Sequence, residues 1–221
     1  MITLALEFSS AQRSVALLDV PSIANEGPRV LAECRESGER KLGPLPLIEQ
    51  VLHEGDQSRE RIECIVVGLG PGSYTGIRSA IAIAQGWQLA CGIRLMGLSS
   101  VEGLAAQAGR TITKGVFHVA IDAQREEFYL AGYQVHDGRA ECVEPLRLAS
   151  LAEVRALTEG GATLVGPGLR KWFPTATELS PCATELGFVA SSRNESVAGE
   201  SLEPIYLRAT AFVKAPPPRL V

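Results

Sequence analysis

An unbroken apolar run over residues 64–69 opens directly into Gly70-Pro71-Gly72-Ser73-Tyr74-Thr75-Gly76 and then into a long apolar helical pattern over 77–91. No other feature restricts the fold as tightly. An apolar run bounded by glycines predicts a central strand covered on both faces, and its glycine-rich passage into a helix predicts an α/β chain. The helix itself is unusually apolar. At 100° per residue, Arg78, Gln85 and Gln88 share one narrow arc, while Ile77, Ala80, Ile81, Ala82, Ile83, Ala84, Trp87 and Leu89 take most of the rest. Such a helix needs burial on more than one side. A sheet covers one side, and a second helix or a partner protein must cover the other.

The remaining segments fit the same architecture. Residues 2–8 and 14–20 are short β-forming runs split by the polar stretch 9–13, which predicts a hairpin, and 29–35 extends it into a meander. After Gly43-Pro44-Leu45-Pro46, the apolar positions Leu47, Ile48, Val51 and Leu52 mark an amphipathic helix ending near Gly55. A short strand over 94–98 precedes a helix starting at Ser99 or Ser100, with Glu102 in its first turn. The second half repeats this grammar. Strands over 116–121 and 128–135 flank a polar turn, a helix covers 151–157, and a strand over 162–165 ends in Gly166-Pro167-Gly168. Strand, strand, helix, strand and Gly-Pro-Gly turn thus occur twice without an evident sequence repeat, the pattern of a structural duplication. Pro216-Pro217-Pro218 cannot be helical and predicts a loose end.

The chemistry in these motifs is sparse. Residues 68–76 are not a P-loop, because Ile77 stands after Gly76 where a lysine would neutralise phosphate. The spacing of Gly68, Gly70 and Gly72 also fails the dinucleotide fingerprint, and Pro71 replaces the glycine of a nucleophile elbow around Ser73. Two readings stand: a tight turn with Ser73 or Thr75 as helix N-cap, or an anion site at the helix start. Glu7, followed by Ser9 and Ser10, is either a magnesium-holding carboxylate acting through water or a strand-edge charge in solvent. Asp122, Glu126 and Glu127 with Arg125 form either a recognition loop or a solvated hairpin tip. His53, His118 and His136 have no metal-ligand spacing, and His118 reads as a packed strand residue. Cys34, Cys64 and Cys91 sit in apolar runs and read as core.

Composition limits the function further. The 221 residues allow one large domain or two compact ones. With 21 basic against 25 acidic side chains, the net charge of −4 provides no broad field for holding a nucleic-acid backbone, which disfavours a stand-alone RNA or DNA binder. Five scattered cysteines without a Cys-x-x-Cys pair suggest a reducing compartment. No membrane span or export signal is apparent, so a soluble cytoplasmic protein is expected.

Four segments in order, residues 70–78, the run Ala120-Ile121-Asp122-Ala123-Gln124-Arg125 leading to Phe128-Tyr129, Val165-Gly166-Pro167-Gly168, and Glu203-Pro204-Ile205-Tyr206-Leu207-Arg208, resemble the signature of the TsaB (YeaZ) family over nearly the whole chain. That resemblance implies an actin/Hsp70-like, ribonuclease H-like ATPase fold in two lobes, here 1–98 and 99–221. Each lobe would hold a mixed β-sheet flanked by helices. It implies a role in forming threonylcarbamoyladenosine on tRNA, as a non-catalytic scaffold for the catalytic paralogue TsaD, with the ATPase TsaE completing the complex and tRNA reached only through it. The expected partner interface is Leu47, Ile48, Val51, Ile77, Ile81 and Ala84. A homodimer of the free chain is a further expected pairing. No catalytic residue, metal or cofactor is expected, apart from residual nucleotide binding at a remnant site of Glu7, Ser9, Gly70, Gly72 and Ser73. The chain departs from the family in carrying Glu7-Phe8-Ser9 where an Asp-Thr pair is usual, and in having no histidine over 36–45. The rival reading is an enzyme, a small ATPase or a peptidase of the M22 glycoprotease type.

Overall fold

The computed structural model describes residues 1–21, 26–38, 43–193 and 196–208. Its first half runs β1 (Ile2–Glu7), β2 (Arg13–Asp19), β3 (Arg29–Glu36), α1 (Pro44–Glu54), β4 (Cys64–Gly68), α2 (Tyr74–Cys91) and β5 (Arg94–Leu98). After α3 (Ser100–Gly109) come β6 (Gly115–Asp122), β7 (Glu127–His136), β8 (Arg139–Ser150), α4 (Leu151–Glu159), β9 (Thr163–Gly166), β10 (Thr177–Glu178) and α5 (Ala183–Ser191). The proline-rich end lies outside the described residues.

Each half builds a mixed sheet by one rule. The first sheet has the order β3-β2-β1-β4-β5, and the second, read from its other edge, is β8-β7-β6-β9-β10. The first three strands of each sheet are antiparallel neighbours and the last two are added in parallel. Strand for strand, the two halves therefore share one topology. The resulting fold is an α/β, two-lobed ribonuclease H-like architecture.

Side-chain alternation decides what covers each sheet. Ile2, Leu4 and Leu6 of β1 join Leu47, Ile48 and Val51 of α1 and Ile77, Ala80, Ile81 and Ala84 of α2 in one buried cluster, so both helices lie on the same face. Burial of each such Leu or Ile contributes about 1.5–3 kcal/mol relative to exposure. The opposite face presents small residues, Ala5 and Ala16, beside Leu18 and Val66, and these receive α5. Gly187 lets that helix come close, since a β-carbon there would lie 2.6 Å from Leu18 Cδ1. α3 packs on Phe117, Val119 and Ile121 of the second sheet, and α4 supplies Val154 to its other face. With α3 and α5 in contact, the layers run α1/α2, first sheet, α5 and α3, second sheet, α4.

Local chemistry sets the helix ends. Pro44 opens α1 and Gly55 closes it. Ser73 caps α2, its Oγ accepting from Gly76 N at 3.3 Å, and Gly92 ends it at φ 66°, its N–H donating to Gln88 O at 2.8 Å. Three elements differ from the sequence expectation, which contained neither β8, the two-residue β10 nor α5. β8 is a sheet edge with most of its residues exposed, so it lacks a period-2 apolar signal. α5 sits between the first sheet and α3, and its burial on more than one side removes the single apolar stripe.

Candidate functional site

The fold brings Glu7, Ser9, Gly70, Gly72 and Ser73 together at the carboxyl ends of β1 and β4. It does so by pressing the turn after β1 into the glycine loop. Ser73 N donates to Ser9 O at 2.6 Å. β-Carbons at Gly72 and Gly76 would collide with the carbonyl oxygens of Ser9 and Phe8, so glycine at both places is a condition of the contact. Gly70, at φ 83°, has its N–H bound by Ser100 Oγ at 3.1 Å, and its carbonyl accepts from Ser100 N at 2.9 Å. The Gly70–Pro71 peptide bond is cis. Of the two readings of this loop, the helix cap is realised by Ser73. The carbonyls of Phe8 and Ser9 pack against Gly76 and Gly72, while residues 72–75 at the start of α2 remain exposed.

Glu7 is fully buried, not a solvent-facing strand end. One oxygen, Oε1, accepts from Ser9 N at 2.8 Å; Oε2 and the Ser9 hydroxyl have no hydrogen-bond partner at bonding geometry. Burial pushes the Glu7 carboxyl above the usual carboxylate range, and the nearby Ser9 and Ser100 groups offset part of that shift. Burial thus disfavours the charged form of Glu7.

The other titratable groups are similarly restrained. Burial pushes the Cys34 and Cys64 thiols up to about 11 and raises Cys182, keeping all three as thiols rather than nucleophilic thiolates. Cys91, expected in the core, is exposed at the end of α2. His118 is packed, as its strand position predicts, with Nε2 3.7 Å from Glu144 Oε2. Among the described residues, no group of three His, Cys, Asp or Glu side chains could hold a metal ion, and no helix is long and apolar enough to cross a membrane.

The six expected interface residues require a correction. Leu47, Ile48, Val51, Ile77, Ile81 and Ala84 are each at most 6% exposed and fill the chain's own core beneath the first sheet's helices. Periodicity identified the inward stripe of α1 and α2, and a partner touching these helices meets the opposite stripe. On α2 that stripe contains Ala82, Gly86, Leu89 and Ala90 at helical spacing, with Leu89 89% exposed and open space above Gly86.

A cleft of about 900 Å³ opens between α3, the β7–β8 turn and the end of α5. Its Arg110 and Arg193 are already paired, with Glu185 (2.9 Å) and Glu102 respectively. Sequence reasoning also missed the end of the described chain. Tyr206 lies beside Tyr74 with the two rings tilted by 33°, Arg78 donates to Tyr74 Oη at 3.0 Å, and Arg208 reaches the hairpin after β6. The only sequence signal for these contacts was the motif over 203–208, which carries no contact information by itself.

The two-lobed fold is shared with known proteins. Residues 43–173, more than half of the chain, match the family model for TsaD, tRNA N6-adenosine threonylcarbamoyltransferase. The chain belongs to this glycoprotease-like family, in its TsaB (YeaZ) branch. It is 27% identical over 224 residues to the tRNA threonylcarbamoyladenosine biosynthesis protein TsaB of Bacillus subtilis, covering 94% of each chain. Identity to the Escherichia coli protein of the same name is 29% over 187 residues, 74% of this chain and 78% of that one. The solved structure of YeaZ from Pseudomonas aeruginosa superposes with a TM-score of 0.75 at 26% identity, covering 93% of this chain and 99% of the other.

Proposed function

We propose that this chain serves threonylcarbamoyladenosine formation on tRNA as a non-catalytic scaffold that docks with the catalytic paralogue TsaD. TsaE and tRNA join through that complex, in the cytoplasm. The pathway assignment rests on the TsaB relatives and on the shared family model. One observation carries the docking mode: Leu89 stands 89% exposed beside Gly86 and Ala82 on the outer stripe of an 18-residue helix. Small residues let a second helix pair approach to roughly 8–10 Å between axes, and Leu89 with the exposed Leu45 of α1 supplies apolar surface to bury. A paralogue of the same fold presents a matching pair, and the two pairs make a four-helix bundle. The same surface offers a second copy of this chain a place to pair.

Support for the non-catalytic part comes from the full burial of the Glu7 carboxyl, which disfavours its charged form. The test is a pull-down with the cognate paralogue, followed by a tRNA-modification assay with and without this chain. Capture and dependence of modification on the chain are expected; modification at full rate without it contradicts the scaffold. Calorimetry with Mg-nucleotide on the purified chain separates the scaffold from a small ATPase, which would release heat on binding.

A further inference from the structure

The segment after α5 laces the two lobes together. Val197 bridges Leu95, Gly199 N donates to Gln88 Oε1 at 2.8 Å, and Gln85 Nε2 donates to Gly199 O at 2.9 Å. Leu202 is buried in the first lobe's core, and Ile205 N donates to Leu69 O at 2.9 Å at the edge of the glycine loop. Tyr206 then lies against Tyr74, the first residue of α2, with ring centroids 5.9 Å apart. Two residues later Arg208 crosses to the second lobe, donating from Nη2 to Ala123 O (3.0 Å) and Gln124 O (3.3 Å) and pairing with Glu127.

That crossing fixes an otherwise costly turn. Gln124, Arg125 and Glu126 all have positive φ, at 64°, 58° and 59°, a conformation that costs L-residues roughly 1–2 kcal/mol each. Several bonds hold it: Asp122 Oδ1 accepts from Gln124 N at 2.7 Å, Leu151 N donates to Glu126 O at 2.8 Å, and Arg208 binds the tip carbonyls. The turn so fixed exposes Arg125, whose guanidinium has no partner among the described residues. On the other side of the strap, Arg78 sits 5.0 Å from the Tyr74 ring centroid and bonds tyrosine hydroxyls, with no carboxylate partner among the described residues. The rings it holds are 59% exposed at Tyr74 and 52% at Tyr206.

We infer that Tyr74, Tyr206, Arg78 and Arg125 form a contact surface for an unpaired RNA strand. Nucleobases stack on the two tyrosine rings, and the two arginines meet the adjoining phosphates. This deepens the proposed tRNA role and rests on it. Exposed aromatic rings beside cations that lack carboxylates are what unstacked bases and phosphates require. Of the tip carboxylates, Asp122 is paired with Lys171 and Glu127 with Arg208, leaving the exposed Glu126 beside Arg125, and Arg208, two residues after Tyr206, ties the strap that carries the platform to the tip. A chain of net charge −4 has no broad basic face, which makes stacking the leading contribution and a short single strand the fitting ligand.

The test titrates a fluorescent oligoadenylate of about eight nucleotides, and a duplex RNA of equal length, into the full chain by anisotropy. Binding of the single strand in preference to the duplex is expected. Tyr74→Leu with Tyr206→Leu weakens it about tenfold or more, whereas Phe at both positions stays within about twofold, because the rings remain. Arg125→Ala, at an exposed side chain that folding does not use, weakens binding and lowers the salt dependence by about one phosphate contact. Unchanged affinity in the double Leu variant while its melting temperature is retained overturns the inference, as does the absence of binding at millimolar RNA. The same double variant is carried through the paralogue pull-down. Lost capture with unchanged RNA affinity assigns the patch to a protein partner and also overturns it. Should wild type fail to capture the paralogue, the docking proposal fails and the RNA titration is still decisive for this surface.

Discussion

Glu7 and Gly68 face each other at the ends of neighbouring strands β1 and β4 with no room for a β-carbon between them. A Cβ at Gly68 would fall within van der Waals overlap of Glu7 Oε2 and 2.9 Å from Ser100 Oγ. Gly68→Ala must therefore displace a fully buried carboxyl. The expected loss is about 1–3 kcal/mol in urea unfolding, the range for over-packing a filled site. Stability within experimental error of wild type would show that Glu7 has a second position available.

The same carboxyl gives a pH dependence of defined sign. Its folded pKa lies above the unfolded value, so the native state holds the extra proton in the interval between them. Stability contributed by neutral Glu7 is fully present below the unfolded carboxylate pKa of about 4.3 and is lost as pH rises through the raised folded value. Glu7→Gln keeps the shape without the titration. Relative to wild type, the variant gains stability across that interval and keeps the gain above it. Urea melts of both proteins from pH 4 to pH 8 test this, and parallel curves would contradict it.

Residues on opposite stripes of α2 behave differently when a carboxylate is introduced. Ile81→Glu places an unpaired charge in the first lobe's core, at a cost of several kcal/mol, and is expected to unfold the protein. Leu89→Glu is expected to leave the melting temperature within about 2 °C, as surface substitutions usually change stability by no more than ~0.5 kcal/mol. Circular dichroism melts of the two variants decide this.

Arg208→Ala releases the carbonyls of Ala123 and Gln124 from the strap. Faster amide exchange over residues 122–128 is expected, with exchange in β1 and β4 unchanged. Equal exchange at the hairpin would mean that Asp122 and Leu151 hold the turn without help.

The apolar framework was legible because its signals are local. The run at β4, the glycine turn and the inward stripes of α1 and α2 each follow from spacing alone, and Ser73 as the cap follows from its place before α2. The direction of those stripes was misread, since periodicity separates one face from another without saying which neighbour each meets. Glu7 could not be placed from sequence because its burial is created by Ser100, which is 93 residues away, and by Gly68. The strap is less visible still. Tyr206 and Arg208 act on Tyr74 and Gln124, and only the fold brings such distant segments together.

The central claim is that the outer stripe of α2 docks the paralogue while the inner stripe holds the fold. Isothermal titration of purified paralogue into wild-type chain and into the Leu89→Glu variant tests it most directly. Binding by wild type and a loss of at least about tenfold in the folded variant, roughly 1.4 kcal/mol, is the predicted result. Equal affinity of the two proteins would place the interface elsewhere and contradict the account.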